Sequence, residues 1–565
     1  MSDSRDANSD FIADAERHNQ WWDAERAHIQ DLDTVSALDP RSDVLNCLKR
    51  INEKQTEGVQ NLAYPIYGPT GIGKTTLLQQ VISAILPAEI ADFHPGNRDL
   101  DIVDNVNPRQ VLYVPLEESL YHLERPTDAI EELGRVIDYF YSHVAARTGQ
   151  KYILLDDVGA LRLDEESKQV LLDLIDDETY LIFTGIVESE VDLKETVNSE
   201  IQFEWPRAML PMKFIDTVQQ GIYADSVLAD SDISDVVESE RSTSLDGQSR
   251  IKTARTKLSE SAAIDEGVGA LEDLYFDVFS PRDRDGLHDA AREYLQRGGL
   301  FQRVGDDSVN NELVHSHFLL YLYKELAQYE SIQRPENLHR LASLAASRAG
   351  EELRYTDVSD RLEVDRRTVD TYLSLLDEGL SVSESHDFSL QRHRRTRLYL
   401  RNPRHVVLLS QRQEHFGFES YEPTGTLNHE FEYKLARTVA FDHAKRLSYE
   451  VGDSGGADPP VEYCETDAGT VDYVLHNEGF VLPFVLSYHP HTGDAEAIAT
   501  SFDPAVGKHP RDDGEELQDI EYEAPYRFII ADSLPNEVTE SESLVVERNG
   551  VQLCYLPYWL FLLIC

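Results

Sequence analysis

Cysteine is scarce in this chain. Its 565 residues include four, Cys47, Cys464, Cys554 and Cys565, all far apart. No CxxC pair occurs, so neither a zinc ribbon nor a disulfide framework is indicated, and a reducing cytoplasm fits. Lysine is also low, at 13 against 39 arginines. Together the 52 basic residues are outnumbered by 104 acidic ones, for a formal net charge of −52. An acid excess spread over the whole length suits an extreme halophile. In molar salt the Debye length falls to about 3 Å and self-repulsion is screened. A charge of that general kind says little about the protein's own task. Long apolar runs are missing as well. The longest, Val551 to Cys565, contains Gln552 and Pro557 and falls short of the roughly 20 residues of a spanning helix. It reads as a buried closing strand and helix rather than a tail anchor. Met1 to Asp10 is polar and acidic, unlike a secretory signal. A cytoplasmic chain without a membrane partner is expected.

What is present is 41% hydrophobic residues, enough for sizeable cores, in a length that predicts about three to five domains. Residues 1–40 read as an acidic N-terminal arm, with Trp21-Trp22 to dock it on the body. Residues 41–222 alternate apolar runs with helical stretches. The runs are Ala63–Tyr67, Gln110–Leu116, Tyr152–Leu155 and Tyr180–Thr184. Continuous apolar runs at this spacing read as strands buried on both faces and joined by crossover helices, the pattern of a parallel α/β sheet. Residues 223–285 read as an acidic insertion or linker, since Asp, Glu and Ser dominate Asp225 to Asp246. Residues 286–337 are a helical segment that breaks at Gly298-Gly299. Leu338 to Val382 predicts three short helices. Further on, Phe431–Ala444 reads as helix, and Thr470–Leu475 and Val481–Tyr488 as strands. No internal repeat is seen.

Gly68-Pro69-Thr70-Gly71-Ile72-Gly73-Lys74-Thr75 matches G-x-x-x-x-G-K-[ST] without slack. An apolar run precedes it and a helix, Thr76–Ile85, follows. Glycines let main-chain N–H groups curl around phosphate oxygens, and the helix N-terminus adds its positive end. This cradle, Gly68 to Thr76, predicts nucleotide binding, with Lys74 bridging the β- and γ-phosphates of ATP and Thr75 giving its hydroxyl to Mg²⁺. A second strand ending in an acid should accompany it. Lys151 to Gly159 supplies one, with Asp156 to support the metal and Asp157 to orient the attacking water. Asp157 stands where a hydrolytic ATPase usually has Glu and is one methylene shorter, so nucleotide binding is better supported than fast turnover. Thr184 ends a later apolar run, where a polar residue commonly touches the γ-phosphate or the lytic water.

In this order of motifs the chain resembles the prokaryotic AAA-type ATPases that carry a winged helix and a C-terminal domain of unknown function similar to restriction endonucleases. The resemblance spans most of residues 45–565. Besides the P-loop it rests on Val111 to Leu116, Ile153 to Gly159, Phe183-Thr184-Gly185 and Leu210-Pro211-Met212-Lys213-Phe214. Tyr294-Leu295 with Gly298-Gly299, Arg366 to Leu376, and Pro557 to Leu562 complete it. It implies an α/β fold: a P-loop NTPase parallel sheet over 41–222, a winged helix over 338–410, and an endonuclease-like α/β domain over 420–565. Departures are Thr70 in place of an arginine, and Ser199-Glu200 where the family has Gly-Arg. Arg207 is the nearby candidate to replace that arginine. Its loss from the expected place favours slow or partner-dependent hydrolysis.

The resemblance puts Arg366 and Arg367 in the first turn of a recognition-type helix capped by Asp365 or its neighbour. Residues 392–404 hold six arginines (Arg392, Arg394, Arg395, Arg397, Arg401, Arg404) and no acid. On a wing, Arg392, Arg394, Arg395 and Arg397 would grip DNA phosphates; a protein partner or pairing with the acidic insertion is the alternative. In the C-terminal domain Asp472 stands where such nucleases place an Asp. Val485 and Ser487 replace the Glu and Lys of the next strand, and Glu430 is the remaining acid. The nuclease chemistry is therefore expected to be lost. His489 and His491 read as loop histidines. The expected protein is an ATP-binding, Mg²⁺-dependent AAA-type ATPase with slow turnover; the alternative is a nucleotide-controlled interaction or DNA-binding module with little or none.

Overall fold

The four apolar runs of the first two hundred residues form strands: β1 (Leu62–Tyr67), β2 (Val111–Pro115), β3 (Lys151–Asp156) and β4 (Thr179–Gly185). Every residue of β1, β3 and β4 is buried, as expected of strands covered on both faces. The computed structural model describes residues 12–23, 40–91, 105–116, 129–161, 165–193, 201–219, 250–299, 311–332, 334–389, 395–411, 429–451, 459–477, 479–488, 494–506 and 522–565, together with Leu32, Thr34, Val35, Leu38 and Phe93. It divides into two compact units, Met1–Leu210 and Pro211–Cys565.

In the first unit all pairings are parallel and the strand order is β2-β3-β4-β1-β5, where β5 is Gln202–Phe203; β6 (Arg207–Ala208) also pairs with β1. Helix α1 (Ser42–Thr56) precedes β1 and α2 (Lys74–Ile85) follows it. Helices α3 (Ala129–Tyr139) and α4 (Glu165–Asp173) lie in the crossovers into β3 and β4. Strand β2 is at the sheet's edge, where unpaired main-chain groups would stay open. The N-terminal segment closes them. Both indoles, of Trp21 and Trp22, donate to the Val111 carbonyl at 3.0 and 2.8 Å. Asn19 donates to the Tyr113 carbonyl at 2.8 Å and accepts its N–H at 2.7 Å, so one side chain stands in for a neighbouring strand.

The second unit holds helices before its sheets. Residues 250–285, within the stretch expected to be an acidic linker, form α5 (Arg250–Leu258), α6 (Ile264–Glu272) and the start of α7 (Pro281–Arg297). Ile251, Ala254 and Leu258 recur on one helical face and are buried; the acidic composition nearby masks that period. Asp225 to Asp246 lies outside the described residues. Helix α7 opens on a capping box between Ser280 and Asp283 and ends at Gly298, whose φ of 64° suits glycine. Then come α8 (Glu336–Ser347), β7 (Glu352–Arg354), α9 (Tyr355–Leu362), α10 (Arg366–Glu378), β8 (Val382–Ser385) and β9 (Arg395–Leu400). The three strands pair antiparallel in the order β7-β9-β8. Asp365 caps α10, accepting the Thr368 N–H at 2.9 Å.

The last sheet has the order β10-β11-β12-β13-β15-β14, in which the edge strands are β10 (Glu462–Thr466) and β14 (Val545–Arg548). Its parallel centre is β12 (Phe480–Ser487), β13 (Tyr526–Ala531) and β15 (Val551–Pro557), with antiparallel pairs outside. Helix α11 (His429–Val451) meets β11 (Gly469–Asn477), where the Tyr473 hydroxyl donates to the Arg437 carbonyl at 2.8 Å. The chain closes on β15 and the wholly buried helix α12 (Tyr558–Ile564), which accounts for the apolar terminal run. Among the described residues no helix is long and apolar enough to cross a membrane.

Candidate nucleotide site

The glycine-rich loop runs from the C-terminal end of β1 to the N-terminus of α2. Gly71 and Gly73 adopt φ of 80° and 105°, a region that favours glycine. A Cβ on Gly68 would stand 2.5 Å from the Met209 carbonyl oxygen. Lys74 is buried, and its ammonium donates to the carbonyls of Gly68 at 2.6 Å and Pro69 at 3.3 Å. The lysine is thus curled over the loop that the sequence assigns to phosphate. Thr75 is exposed at the start of α2, and Thr76 and Thr70 are half-buried.

Strand β4 lies between β1 and β3, and its Thr184 ties the acids of β3 to the sheet. The Thr184 hydroxyl donates to Asp156 Oδ1 at 2.8 Å and accepts the Asp157 N–H at 2.9 Å. The Tyr113 hydroxyl donates to Asp156 Oδ2 at 3.1 Å. Asp156 is therefore a buried carboxylate with both oxygens held. Asp157 follows with φ of 63°, a left-handed turn that Asp tolerates better than most residues. Thr184 itself is fully buried, so its hydroxyl is directed at the two aspartates.

Two further residues of this site escaped the sequence reading. Arg41, just before α1, donates to the Ile72 carbonyl at 2.8 Å and the Leu210 carbonyl at 2.5 Å, and pairs with Asp43 at 2.9 Å; it fastens the loop from outside. Glu190 accepts the Ile186 N–H at 2.6 Å. Its carboxylate fills the space that side chains at Gly159 and Gly185 would need, with oxygens 2.0 and 2.7 Å from their Cβ positions. Neither contact has a local signature: one joins residues 31 and 169 positions apart, and the other depends on two bare glycines.

Among the described arginines of residues 392–404, Arg397 takes a different role from the one expected. Arg397 is buried, pairs with Glu465 at 2.8 Å and lies 3.9 Å over the Tyr463 ring. Arg401 and Arg404 are buried too, and Arg395 pairs with Glu352 at 2.5 Å. Arg397 is therefore not available to DNA phosphates: a guanidinium this far from water keeps its carboxylate and aromatic partners. Arg392 and Arg394 lie outside the described residues, as do Ser199-Glu200, His489 and His491.

Asp472 is buried on β11. It accepts the Leu486 N–H at 2.8 Å, with the Arg437 guanidinium 3.8 Å away. Burial raises its pKa, and Arg437 works against that rise. Val485 is buried, while Glu430 stands exposed beside Lys434. A carboxylate already faced by a guanidinium and bonded to main chain does not suit a divalent ion. Among the described residues no group of three or more His, Cys, Asp or Glu side chains could hold a metal.

A family model described as a domain of unknown function, DUF8612, matches residues 288–406. No curated protein matches the chain. Among solved structures, the Aeropyrum pernix Orc1 protein in complex with DNA is 15% identical, covers 66% of this chain and 93% of its own, and has a TM-score of 0.25. Cdc6p from Pyrobaculum aerophilum is 13% identical over 65% of this chain and 93% of its own, with a TM-score of 0.22. A DNA polymerase III gamma subunit-related protein from Thermotoga maritima is 13% identical over 60% and 97%, with a TM-score of 0.22. These are distant likenesses. The sheet itself belongs to an α/β arrangement, with a glycine-rich loop after β1 and one strand between β1 and the acid-bearing β3.

Proposed function

We propose that the protein binds ATP with Mg²⁺ through Gly68 to Thr76 and hydrolyses it slowly. The observation that carries this reading is the pairing of two features at the same end of parallel strands: a loop whose lysine already lies against its own carbonyls, and a buried Asp156 fixed through Thr184 on the intervening strand. Lys74 would exchange those carbonyls for phosphate oxygens. Thr75 and Asp156 would hold the metal, which supplies charge neutralisation between the phosphates. Asp157, at the left-handed turn that follows β3, orients water.

A second reading is a nucleotide-controlled switch with little or no turnover. The Thr184 hydroxyl favours it, because its one proton is directed at Asp156 and its oxygen at the Asp157 N–H. In either reading β7, β8 and β9 with α8, α9 and α10 serve as a winged helix, whose exposed Arg366 and Arg367 are left to meet DNA or a protein. The sheet around β12 serves as a nuclease-derived scaffold without metal chemistry.

The test is nucleotide binding and steady-state phosphate release in molar KCl. Lys74→Ala should weaken ATP binding by at least about tenfold, the loss of one charged hydrogen-bonding group. Asp157→Asn should leave binding intact and lower release about a hundredfold or more. Binding without release in the wild type selects the switch; no heat of binding with any purine nucleotide overturns both.

A further inference from the structure

Beside the P-loop, the first unit contains a cavity of about 480 Å³, a volume usual for small-molecule sites. None of its lining residues belongs to Gly68–Thr75. Tyr64 and Ile66, two apart on β1, share one face and meet Leu77 of α2 and Met209; Lys49 of α1 and Arg207 of β6 complete the walls. Tyr64 is only 4% exposed. It lines the cavity, and its hydroxyl has no hydrogen-bond partner among the described residues. Burial pushes that hydroxyl's pKa up, and the charge of Arg207 pulls it down, which puts the guanidinium within electrostatic reach.

The charges around the cavity are unevenly matched. Asp43 is paired with Arg41 at 2.9 Å, and Glu53 and Glu204 with Arg50 at 3.1 and 2.9 Å. Each carboxylate thus has its cation. Arg207 has no ion pair among the described residues, and Lys49 is a loose 3.9 Å from Glu53. In a chain of net charge −52 this leaves a positive, donor-rich end facing an apolar wall. Arg207 and Lys49 are exposed while Ile66, Leu77 and Met209 are buried, so the cavity opens at its cationic end, and its volume suits a small molecule.

We propose that this cavity is a second ligand site that takes a phosphate monoester of nucleoside-monophosphate size. Its phosphate meets Arg207, Lys49 and the Tyr64 hydroxyl, and its apolar body lies on Ile66, Leu77 and Met209. Three donors from three different elements suit the several oxygens of a phosphate. Met209 couples the site to the loop. Its N–H donates to the Tyr67 carbonyl at 2.7 Å, its carbonyl abuts Gly68, and its Cε lies 3.6 Å from the Cβ position of Gly73. A ligand that shifts Met209 shifts the cradle, so the two sites should change each other's affinity by one common factor.

The site does not depend on the chemistry of the P-loop, and the test separates the two. Full-length Lys74→Ala protein in molar KCl is titrated by calorimetry with AMP, adenosine and inorganic phosphate. AMP should bind saturably, and adenosine at least about tenfold more weakly. Adding Arg207→Ser should weaken AMP by about tenfold or more, and adding the conservative Tyr64→Phe should weaken it less, with circular dichroism confirming that each variant is folded. The proposal is overturned if neither AMP nor phosphate binds the Lys74→Ala protein, if adenosine binds as well as AMP, or if both cavity variants bind AMP unchanged. Loss of ATP binding in Lys74→Ala reports on the P-loop alone.

Discussion

Asp442 is 2% exposed on α11, between two guanidinium groups. Arg401 donates to its Oδ1 at 2.7 Å and Arg446 to its Oδ2 at 2.8 Å. Burial alone would raise its pKa, but Arg446 and Arg401 bring it down to about 2. A folded value below the unfolded one, about 3.9, makes the carboxylate's contribution complete above about pH 4 and lost as pH falls through about 2. Asp442→Asn should cost about 3–5 kcal/mol, because two buried cations lose their counter-charge. Urea unfolding in molar KCl would measure it, and an unchanged midpoint would refute it. Burial also lowers His443 and His405 to about 3 and His339 to about 4. Neutral in the fold, these imidazoles should make stability decline as pH drops below about 6.5, where the unfolded chain takes up protons first. Unfolding midpoints that stay flat from pH 7 to 5 would contradict this. None of these partners was legible in sequence: Arg401 was one of six arginines in a run, and Asp442 one acid among 104.

At the scale of elements, the parallel sheet could be read from composition. Long apolar runs between helical stretches have few alternatives, and all four expected runs became strands to within a residue or two. The docking of Trp21-Trp22 was also foreseen; its target, the open edge of β2, was not. Asn19 mimics a strand across 94 residues of sequence, and a single polar residue before two tryptophans carries no mark of that. Asn19→Ala should unpair the Tyr113 N–H and carbonyl and cost about 1–3 kcal/mol. Amide exchange at Tyr113 should accelerate, and the exposed edge should favour association. Unchanged exchange there would show that the clip is dispensable. Helices α5 and α6 were missed because each is short and offers only a sparse apolar period: α5 fills its other positions with basic and polar residues, and α6 with Asp265, Glu266 and two glycines.

For the whole molecule, 104 acidic against 52 basic residues repel one another unless salt screens them. Thermal unfolding followed by circular dichroism should therefore move to lower temperature as KCl is reduced from about 2 M to about 0.1 M, where the Debye length grows to about 10 Å. A melting temperature independent of salt would contradict the halophilic reading. The two sequence signatures quoted for the middle of the chain also meet within the second unit. Met212 N–H donates to the Gly299 carbonyl at 2.9 Å, and the Tyr294 hydroxyl donates to the Met212 carbonyl at 2.8 Å. A Cβ on Gly299 would lie 1.9 Å from that same Met212 oxygen, so the second glycine is required by an approach between segments more than 80 residues apart.

Sequence alone determined the features whose cause is local: the glycine-rich loop, the strands around it, the acid at the end of β3 and the buried closing helix. Each follows from neighbouring residues, through glycine's conformational range, apolar periodicity or helix capping. Only the tertiary structure decided which charges are buried. It sent Arg397 to Glu465, Arg437 to Asp472 and Arg41 to the P-loop, and left Arg207 without an ion pair among the described residues. The reason is that the cost of burying a charge depends on what surrounds it, and in a chain this rich in acids, proximity in space rather than position in sequence selects the partner.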